Sequence, residues 1–432
     1  MKPPPKNSPG PIVTLDVGRV GAGGDGIAEH DGHKVYLPFT APGDRVRVML
    51  GEKREGGRAG RVIELIEAGA RQPALCPHFG QCGGCALQHL AEPAYRAMKE
   101  EQIRAALLHR GLDPGVVAAL RRVGPGTRRR ARLTLQRSRR AGVPPLVGFH
   151  ERESETIVDM HDCAVLHPAL LALAAPLRKL AEVVLTPGGT GAALLTRLES
   201  GVDCLMELPD EPDLAMLEAL AGFAQDQDLS RLSWRVGEKG RPIPVAERRA
   251  ARVVFAGVPV NLPEGGFLQA SEAADIVLTE LVFGGIGDAK RIADLYAGIG
   301  TFTFALAQRG PVHAADSSRT AIAALVAAAA RAGLANRIAG EVRDLAVNPL
   351  RGAELAGFDA VVFDPPRAGA AAQARALAEA KVPRIVAVSC YPASFARDAR
   401  ILVDGGYRLT QVIPVDQFVW SPHVELVAWF ER

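Results

Sequence analysis

From about residue 261 to residue 432 the chain repeats one pattern, a short apolar run, a turn, and then a helix-like stretch. RIADLYAG precedes TFTFALAQRG, PVHAADSS precedes TAIAALVAAAARAGL, DAVVFDPPR precedes AAAQARALAEA, and RIVAVSCYP precedes SFARDARILVDGG. Strands buried on both faces read as continuous apolar runs, and parallel neighbours need a crossover such as a helix. The repetition therefore predicts a doubly wound parallel sheet, an α/β Rossmann-like domain over 261–432. The last two runs, YRLTQVIPVDQF and VELVAWFE, are separated only by WSPH. So short a link cannot carry a parallel crossover, and the final strand is expected to run antiparallel.

The remainder of the 432 residues is long enough for one or two further domains. Residues 1–10, rich in Pro and polar residues, are expected to form a disordered tail. Over 11–72, alternating runs between Gly-Gly, Asp-Gly and Pro-Gly turns predict a small β-barrel. Residues 73–260 read as an α+β central domain, with helices over 166–182 and 211–226. A helix over 92–111 ends at Gly111 and is placed to pack on the C-terminal domain. MKPPPKNSPGP lacks the apolar core of a signal peptide. TAIAALVAAAA, the longest apolar run, stops at Arg331, short of a membrane span. A cytoplasmic protein away from membranes is the expectation, and structural disulfides are disfavoured there.

Candidate site residues gather where the repeated strands end, the edge at which open α/β sheets bind ligands. DLYAGIG supplies Asp294, Tyr296, Gly298 and Gly300 in the first strand-to-helix turn. Asp316 follows the second strand, where a carboxylate can hold two ribose hydroxyls or cap the next helix. Asp344 follows the third, within reach of an adenine amino group. There is no GxxxxGK[ST] phosphate loop, so an adenosyl ligand is favoured over ATP. DPPR places Asp364 in a loop stiffened by two prolines. SCYP places Cys390 at the next strand end. Because the final strand runs antiparallel, HVE brings Glu425 to the same edge.

A thiol, two carboxylates and an adenosyl cofactor suit one chemistry. Carbon 5 of uracil is a poor nucleophile until a thiolate adds to carbon 6. It can then take a methyl group from S-adenosylmethionine, after which a base must remove the carbon-5 proton so that the thiol leaves. Cys390 fits the nucleophile, Glu425 the base, and Asp364 a hydrogen-bond partner of the uracil edge.

Two further features concern the middle of the chain. CPHFGQCGGC packs Cys76, Cys82 and Cys85 as C-x5-C-x2-C, and a metal site needs a fourth ligand from Cys163 or Cys204. Four thiolates suit zinc or a [4Fe–4S] cluster, and the absence of paired C-x2-C units leans to iron–sulfur. Between Pro114 and His150 there are nine arginines and no acidic residue. With formal net charge only +3, such a local run is where phosphate contacts with RNA are expected. Aromatic content of 5% disfavours extended stacking platforms, although Tyr391 is one stacking candidate.

The chain resembles the bacterial RNA 5-methyluridine methyltransferases, most closely the iron–sulfur type acting on 23S ribosomal RNA. The resemblance rests on DPPR, SCxP followed by SFARD, HVE, and FxQ in GGFLQAS. The cysteine cluster and an N-terminal barrel similar to a TRAM RNA-binding domain extend it over nearly the whole chain. It implies a class I methyltransferase domain, S-adenosylmethionine and a [4Fe–4S] cluster as cofactors, RNA as partner, and no obligate protein partner. Cys390 becomes the nucleophile and Glu425 the base, with Gln269 and Asp364 near cofactor and target base and Cys163 the fourth cluster ligand. Tyr391, Ser271 and Thr301 stand where the family usually has asparagine, which bears on the choice of uridine. Transfer RNA as substrate, or a non-catalytic role in ribosome assembly, are the alternatives.

Overall fold

The computed structural model describes residues 10–54 and 56–432, so the expected N-terminal tail lies outside the described residues except for Gly10. Among the described residues the strands form three large sheets and one hairpin. No helix among them is long and apolar enough to cross a membrane.

The first sheet has six strands in the order Ile12–Asp16, Arg45–Arg54, Gly57–Glu67, His33–Leu37, Gly26–His30, Arg19–Val20. Its alternation puts Leu15, Val35, Leu37, Val46, Val48 and Leu50 into one small core. The second sheet, of seven strands, is centred on Arg130–Gln136, Thr190–Leu198 and Gly201–Leu208. Leu133, Leu135, Leu195, Cys204 and Met206 face the helices Ala174–Val184 and Leu214–Asp226. The opposite face is polar and internally neutralised, with Arg231 on Asp203 at 2.8 Å and Glu207 between Arg132 and Arg235.

The third sheet has eight strands. Its order is Ile338–Val342, Val312–Asp316, Ile292–Leu295, Ala360–Phe363, Arg384–Ser389, Glu425–Glu431, Arg408–Asp416, Arg121–Arg122. The first five are mutually parallel, and Glu425–Glu431 is antiparallel to both of its neighbours. The two-residue strand Arg121–Arg122 comes from far upstream and pairs with Val415 and Asp416. Helix Glu92–His109 buries Tyr95, Met98, Ile103 and Leu107 in the same core as Leu426, Ala428 and Phe430 of this sheet. Residues 92–122 therefore share the core of the C-terminal sheet.

Two expectations change. The stretch TFTFALAQRG contains only a short helix, Thr303–Leu306. The preceding turn uses three residues in the left-handed region, Tyr296, Gly298 and Gly300, and consumes the space of a first helical turn. Part of the arginine run is structural. Arg122 pairs with Glu92 and Asp416, Arg132 with Glu207, and Arg137 donates to the Leu185 carbonyl at 2.6 Å. Arg129 is buried, pairs with Asp275 of helix Glu272–Gly285, and donates through Nε to the Gln269 carbonyl at 3.2 Å. Spacing in a sequence shows charge density but not whether the matching carboxylates arrive from elsewhere in the fold.

Arg129 thus anchors the segment carrying Gln269 from both side chain and backbone, since its N–H also donates to the Ala270 carbonyl at 2.8 Å. Replacing one member of a buried ion pair leaves the other uncompensated. Arg129→Met is expected to lower unfolding free energy by about 3 kcal/mol in urea titration. A change within experimental error would contradict this placement.

Candidate active site

The parallel strands of the third sheet all end at one edge, and Glu425–Glu431 begins there. Antiparallel pairing of Arg384–Ser389 with Glu425–Glu431 ends with Ser389 opposite Leu426. The next residues outward, Cys390 and Glu425, therefore stand across from each other. A cavity of about 760 Å³ opens at this edge. It is lined by Cys390, Glu425, Asp364, Gln269, Tyr296, Gly298, Asp316 and Asp344, with Thr301, Phe267, Arg367 and Phe418. Residues separated by as much as 158 positions in sequence thus meet, because the topology returns each strand to the same edge.

Asp294 and Gly300, expected to bind cofactor, do not line the cavity. The Asp294 side chain is buried behind the turn and accepts from Thr303 Oγ1 at 2.6 Å, so it braces the loop. Burial, then repulsion from Asp364 and Asp316, pushes its carboxyl up to about 7. Gly300 has φ +98°, and a Cβ there would lie 2.6 Å from the Phe304 ring, so its role is to let the turn form. Asp316 holds the turn from the other side, accepting from Gly298 N at 2.9 Å and Ser318 N at 2.7 Å. Each of its oxygens retains acceptor capacity toward the cavity.

Ser271 and Tyr391 do not line the cavity either. Ser271 caps helix Glu272–Gly285 by accepting from Ala274 N at 3.2 Å. Tyr391 precedes helix Pro392–Asp404, is largely exposed, and lies under the Arg367 guanidinium, 5.1 Å from the ring centre. Both leave the acids and the thiol in place.

A buried relay joins the two carboxylates at the chemical end. Gln417 Nε2 donates to Glu425 Oε2 at 2.6 Å and to Gln269 Oε1 at 2.9 Å. Gln269 Nε2 donates to Asp364 Oδ2 at 3.0 Å. Gln417 Oε1 is fixed in turn by Ala270 N at 3.2 Å. Sequence reasoning missed Gln417, because a glutamine at the end of an apolar strand matches no motif and breaks no periodicity. Glu425 Oε1 has no protein partner among the described residues and is free to accept a proton.

Electrostatics follow from this burial. Desolvation first, and the Asp364 charge second, push the Glu425 carboxyl well above its ordinary range. Desolvation pushes Asp364 up to about 7, with Gln269 opposing. The Cys390 thiol is pushed up to about 11 by burial, then by Glu425 and Asp364, with Arg367 pulling weakly the other way. Burial therefore favours the protonated forms of these groups, and a cationic ligand entering the cavity favours their ionised forms.

A second cavity, of about 310 Å³, is lined by Cys76, Cys82, Cys85 and Cys163, with His78, Phe79, Arg128 and Met160. All four are free thiols. Cys204 lies instead in the core of the second sheet, fully buried. Burial, then repulsion from Cys163, Cys82 and Cys76, pushes the Cys85 thiol up to about 12, despite a Gln88 hydrogen bond. Among the described residues no three His, Cys, Asp or Glu side chains form a group able to hold a metal ion. A single tetrahedral ion would draw its sulfurs to about 2.3 Å. The loop is tied to the segment between Asp416 and Glu425, since Ala86 N and Leu87 N both donate to the Trp420 carbonyl, at 2.9 and 3.0 Å.

Residues 258–432 match the family model described as tRNA (Uracil-5-)-methyltransferase. An RNA methyltransferase of Caulobacter vibrioides, itself uncharacterized, is 40% identical over 429 residues, spanning 97% of this chain and 99% of the relative. The 23S rRNA (uracil(1939)-C(5))-methyltransferase of Chromohalobacter salexigens is 34% identical over 432 residues, spanning 97% of this chain and 89% of that protein. Among solved structures, the tRNA (uracil-54, C5)-methyltransferase of Pyrococcus abyssi in complex with S-adenosyl-L-homocysteine superposes with a TM-score of 0.72. It is 24% identical and covers 96% of this chain and 100% of that one, a likeness of fold.

The raised thiol gives a direct prediction. A pKa of about 11 in place of 9.0 leaves less thiolate at any given pH below it. At pH 8 iodoacetamide should modify Cys390 about tenfold or more slower than an ordinary cysteine, with the rate still climbing at pH 10. Peptide mass spectrometry of the labelled chain measures this, and a rate that levels off below pH 9 would contradict it.

Proposed function

Since the chain belongs to the S-adenosylmethionine-dependent RNA (uracil-C5)-methyltransferases, we propose that it methylates carbon 5 of a uridine in 23S ribosomal RNA through a covalent adduct with Cys390. The observation that carries this reading is the placement of Cys390 across from Glu425, in one cavity with Asp364.

The cavity fits the cofactor chemically. Its volume is that of a small-molecule site, and Asp316 offers acceptors to two ribose hydroxyls from a carboxylate already oriented by two backbone amides. Tyr296 and Gly298 form the adjoining wall, and Asp344 meets the adenine side. S-adenosylmethionine, when bound, supplies an electrophilic methyl group. The remaining steps fall to the protein. Cys390 loses its proton to solvent and its sulfur bonds to carbon 6, moving the ring's π pair toward carbon 5 and the carbonyl oxygen. Carbon 5, now nucleophilic, would take the methyl group as its bond to the sulfonium sulfur breaks, the electron pair staying on that sulfur as a neutral thioether. Glu425 then removes the proton from carbon 5. The released pair restores the double bond, and the sulfur departs with its own pair as thiolate. Burial makes Glu425 a stronger base than an exposed carboxylate, and its unpartnered oxygen is ready to receive that proton. Asp364, held by Gln269, orients the uracil edge. The target base must leave its stack to reach Cys390, and we assign the first sheet, as a TRAM-like RNA-binding domain, to holding the flanking nucleotides.

The second cavity reads as the site of a [4Fe–4S] cluster ligated by Cys76, Cys82, Cys85 and Cys163. Four free thiols round one cavity suit a cluster, which holds sulfurs further apart than one ion does. Methyl transfer consumes no electrons, so the cluster's part is structural, fastening the loop of residues 76–85 to the segment around Cys163. Such an enzyme works in the cytoplasm, where its RNA is made.

Two results are expected. RNA carrying 5-fluorouridine at the target should form an adduct that survives denaturing electrophoresis, lost in Cys390→Ala. Glu425→Gln with ordinary RNA should accumulate a methylated adduct, and failure of the unaltered chain to form any adduct would overturn the reading. Anaerobically prepared protein should contain about four irons per chain. Cys163→Ser should lower that content and Cys204→Ser should not, whereas stoichiometric zinc would overturn the assignment.

A further inference from the structure

Asp416 and Glu425 flank a loop, residues 417–424, that leaves the sheet after Arg408–Asp416, begins with Gln417 and re-enters the sheet at Glu425–Glu431. One face of helix Glu92–His109 grips this loop. Tyr95, Lys99 and Gln102 follow the spacing of neighbours on a helix surface. Lys99 Nζ pairs with Asp416 Oδ1 at 3.0 Å, donates to the Phe418 carbonyl at 3.2 Å, and also donates to the His423 carbonyl. It therefore bridges the outgoing and returning arms. Tyr95 Oη donates to Asp416 Oδ2 at 2.6 Å and accepts from Trp420 N at 2.9 Å. Gln102 Nε2 donates to the Pro422 carbonyl at 3.1 Å. Trp420 has φ +57°, a conformation that a bulky residue keeps only where its surroundings fix it. Its N–H is held by Tyr95 and its carbonyl by Ala86 and Leu87.

The side chains of Lys99 and Asp416 are both fully buried. Desolvating such a pair offsets much of its attraction, so a purely apolar contact would stabilise the fold as well. What the pair adds is direction, with each donor meeting a stated oxygen of the loop.

We propose that Tyr95, Lys99 and Gln102 are positioning residues for proton removal, acting through the loop that sets Gln417 and Glu425. This rests on the mechanism proposed above. Cys390 is held separately, at the end of Arg384–Ser389 and before helix Pro392–Asp404, so the clamp acts on release of the adduct rather than on its formation. The helix lies outside residues 258–432, which match the family model. A distant part of the chain thereby tunes one step of the reaction.

Single-turnover assays with ordinary RNA and a radiolabelled methyl donor separate the two steps. In Tyr95→Phe and Gln102→Leu, release of the methylated adduct should slow about ten- to hundredfold, while its formation changes less than about threefold. The methylated protein–RNA adduct should then accumulate. Lys99→Met should show a larger effect if its thermal unfolding remains cooperative, and the two milder variants carry the test if it does not. Equal slowing of formation and release, or normal release in both milder variants, would overturn the inference alone. If the unaltered chain forms no adduct, the mechanism falls, and the clamp with it.

Discussion

One strand pairing organises the active edge of this protein. Glu425–Glu431 inserts antiparallel between Arg384–Ser389 and Arg408–Asp416, in a sheet whose other long strands run parallel. Reversal of that single strand brings a residue at its start beside residues at the ends of the others. Cys390 and Glu425 face each other for this reason, and Asp364 joins them from the next strand end. A parallel crossover at the same point would have sent Glu425 to the opposite edge, away from Cys390, Asp364 and Asp316.

Burial then gives those groups their character. Glu425, Asp364 and Asp294 are carboxyls in a water-poor wall, and each is pushed upward mainly by desolvation. Two glutamine side chains keep the first two at defined positions without neutralising them. An amide can donate to one carboxylate and accept from the next donor, so a relay of amides transmits geometry where a lysine would have quenched charge. The buried Lys99–Asp416 pair lies one step further out, where it holds the loop and leaves Glu425 Oε1 without a partner among the described residues.

Much of this was legible in the sequence, for physical reasons that differ by residue. Asp316, Asp364 and Cys390 end or follow short apolar runs that read as buried strands, so their edge was fixed once the fold class was, whereas Asp344 follows the largely exposed edge strand Ile338–Val342. Glu425 was legible because WSPH is too short for a crossover. Asp294 and Gly300 were placed in the right turn with the wrong role, since spacing does not tell whether a turn residue faces the ligand or the core. Within the arginine run, Arg122, Arg129 and Arg132 are taken by carboxylates that spacing could not reveal, because Glu92, Asp275, Glu207 and Asp416 come from other segments. Gln417 and the clamp on helix Glu92–His109 depend wholly on tertiary contacts with no periodic signature.

The cysteine loop and the loop between Asp416 and Glu425 meet at Trp420, where Ala86 and Leu87 donate to one carbonyl. The thiol cavity and the cavity holding Cys390 are thus linked through one loop while remaining separate sites. The account's central claim concerns the product, a uridine methylated at carbon 5. Mapping 5-methyluridine in ribosomal and transfer RNA from cells lacking this gene tests it most directly. The account predicts that a 5-methyluridine of 23S ribosomal RNA disappears, and returns with the unaltered gene but not with Cys390→Ala. Unchanged 5-methyluridine in both RNA classes would contradict it.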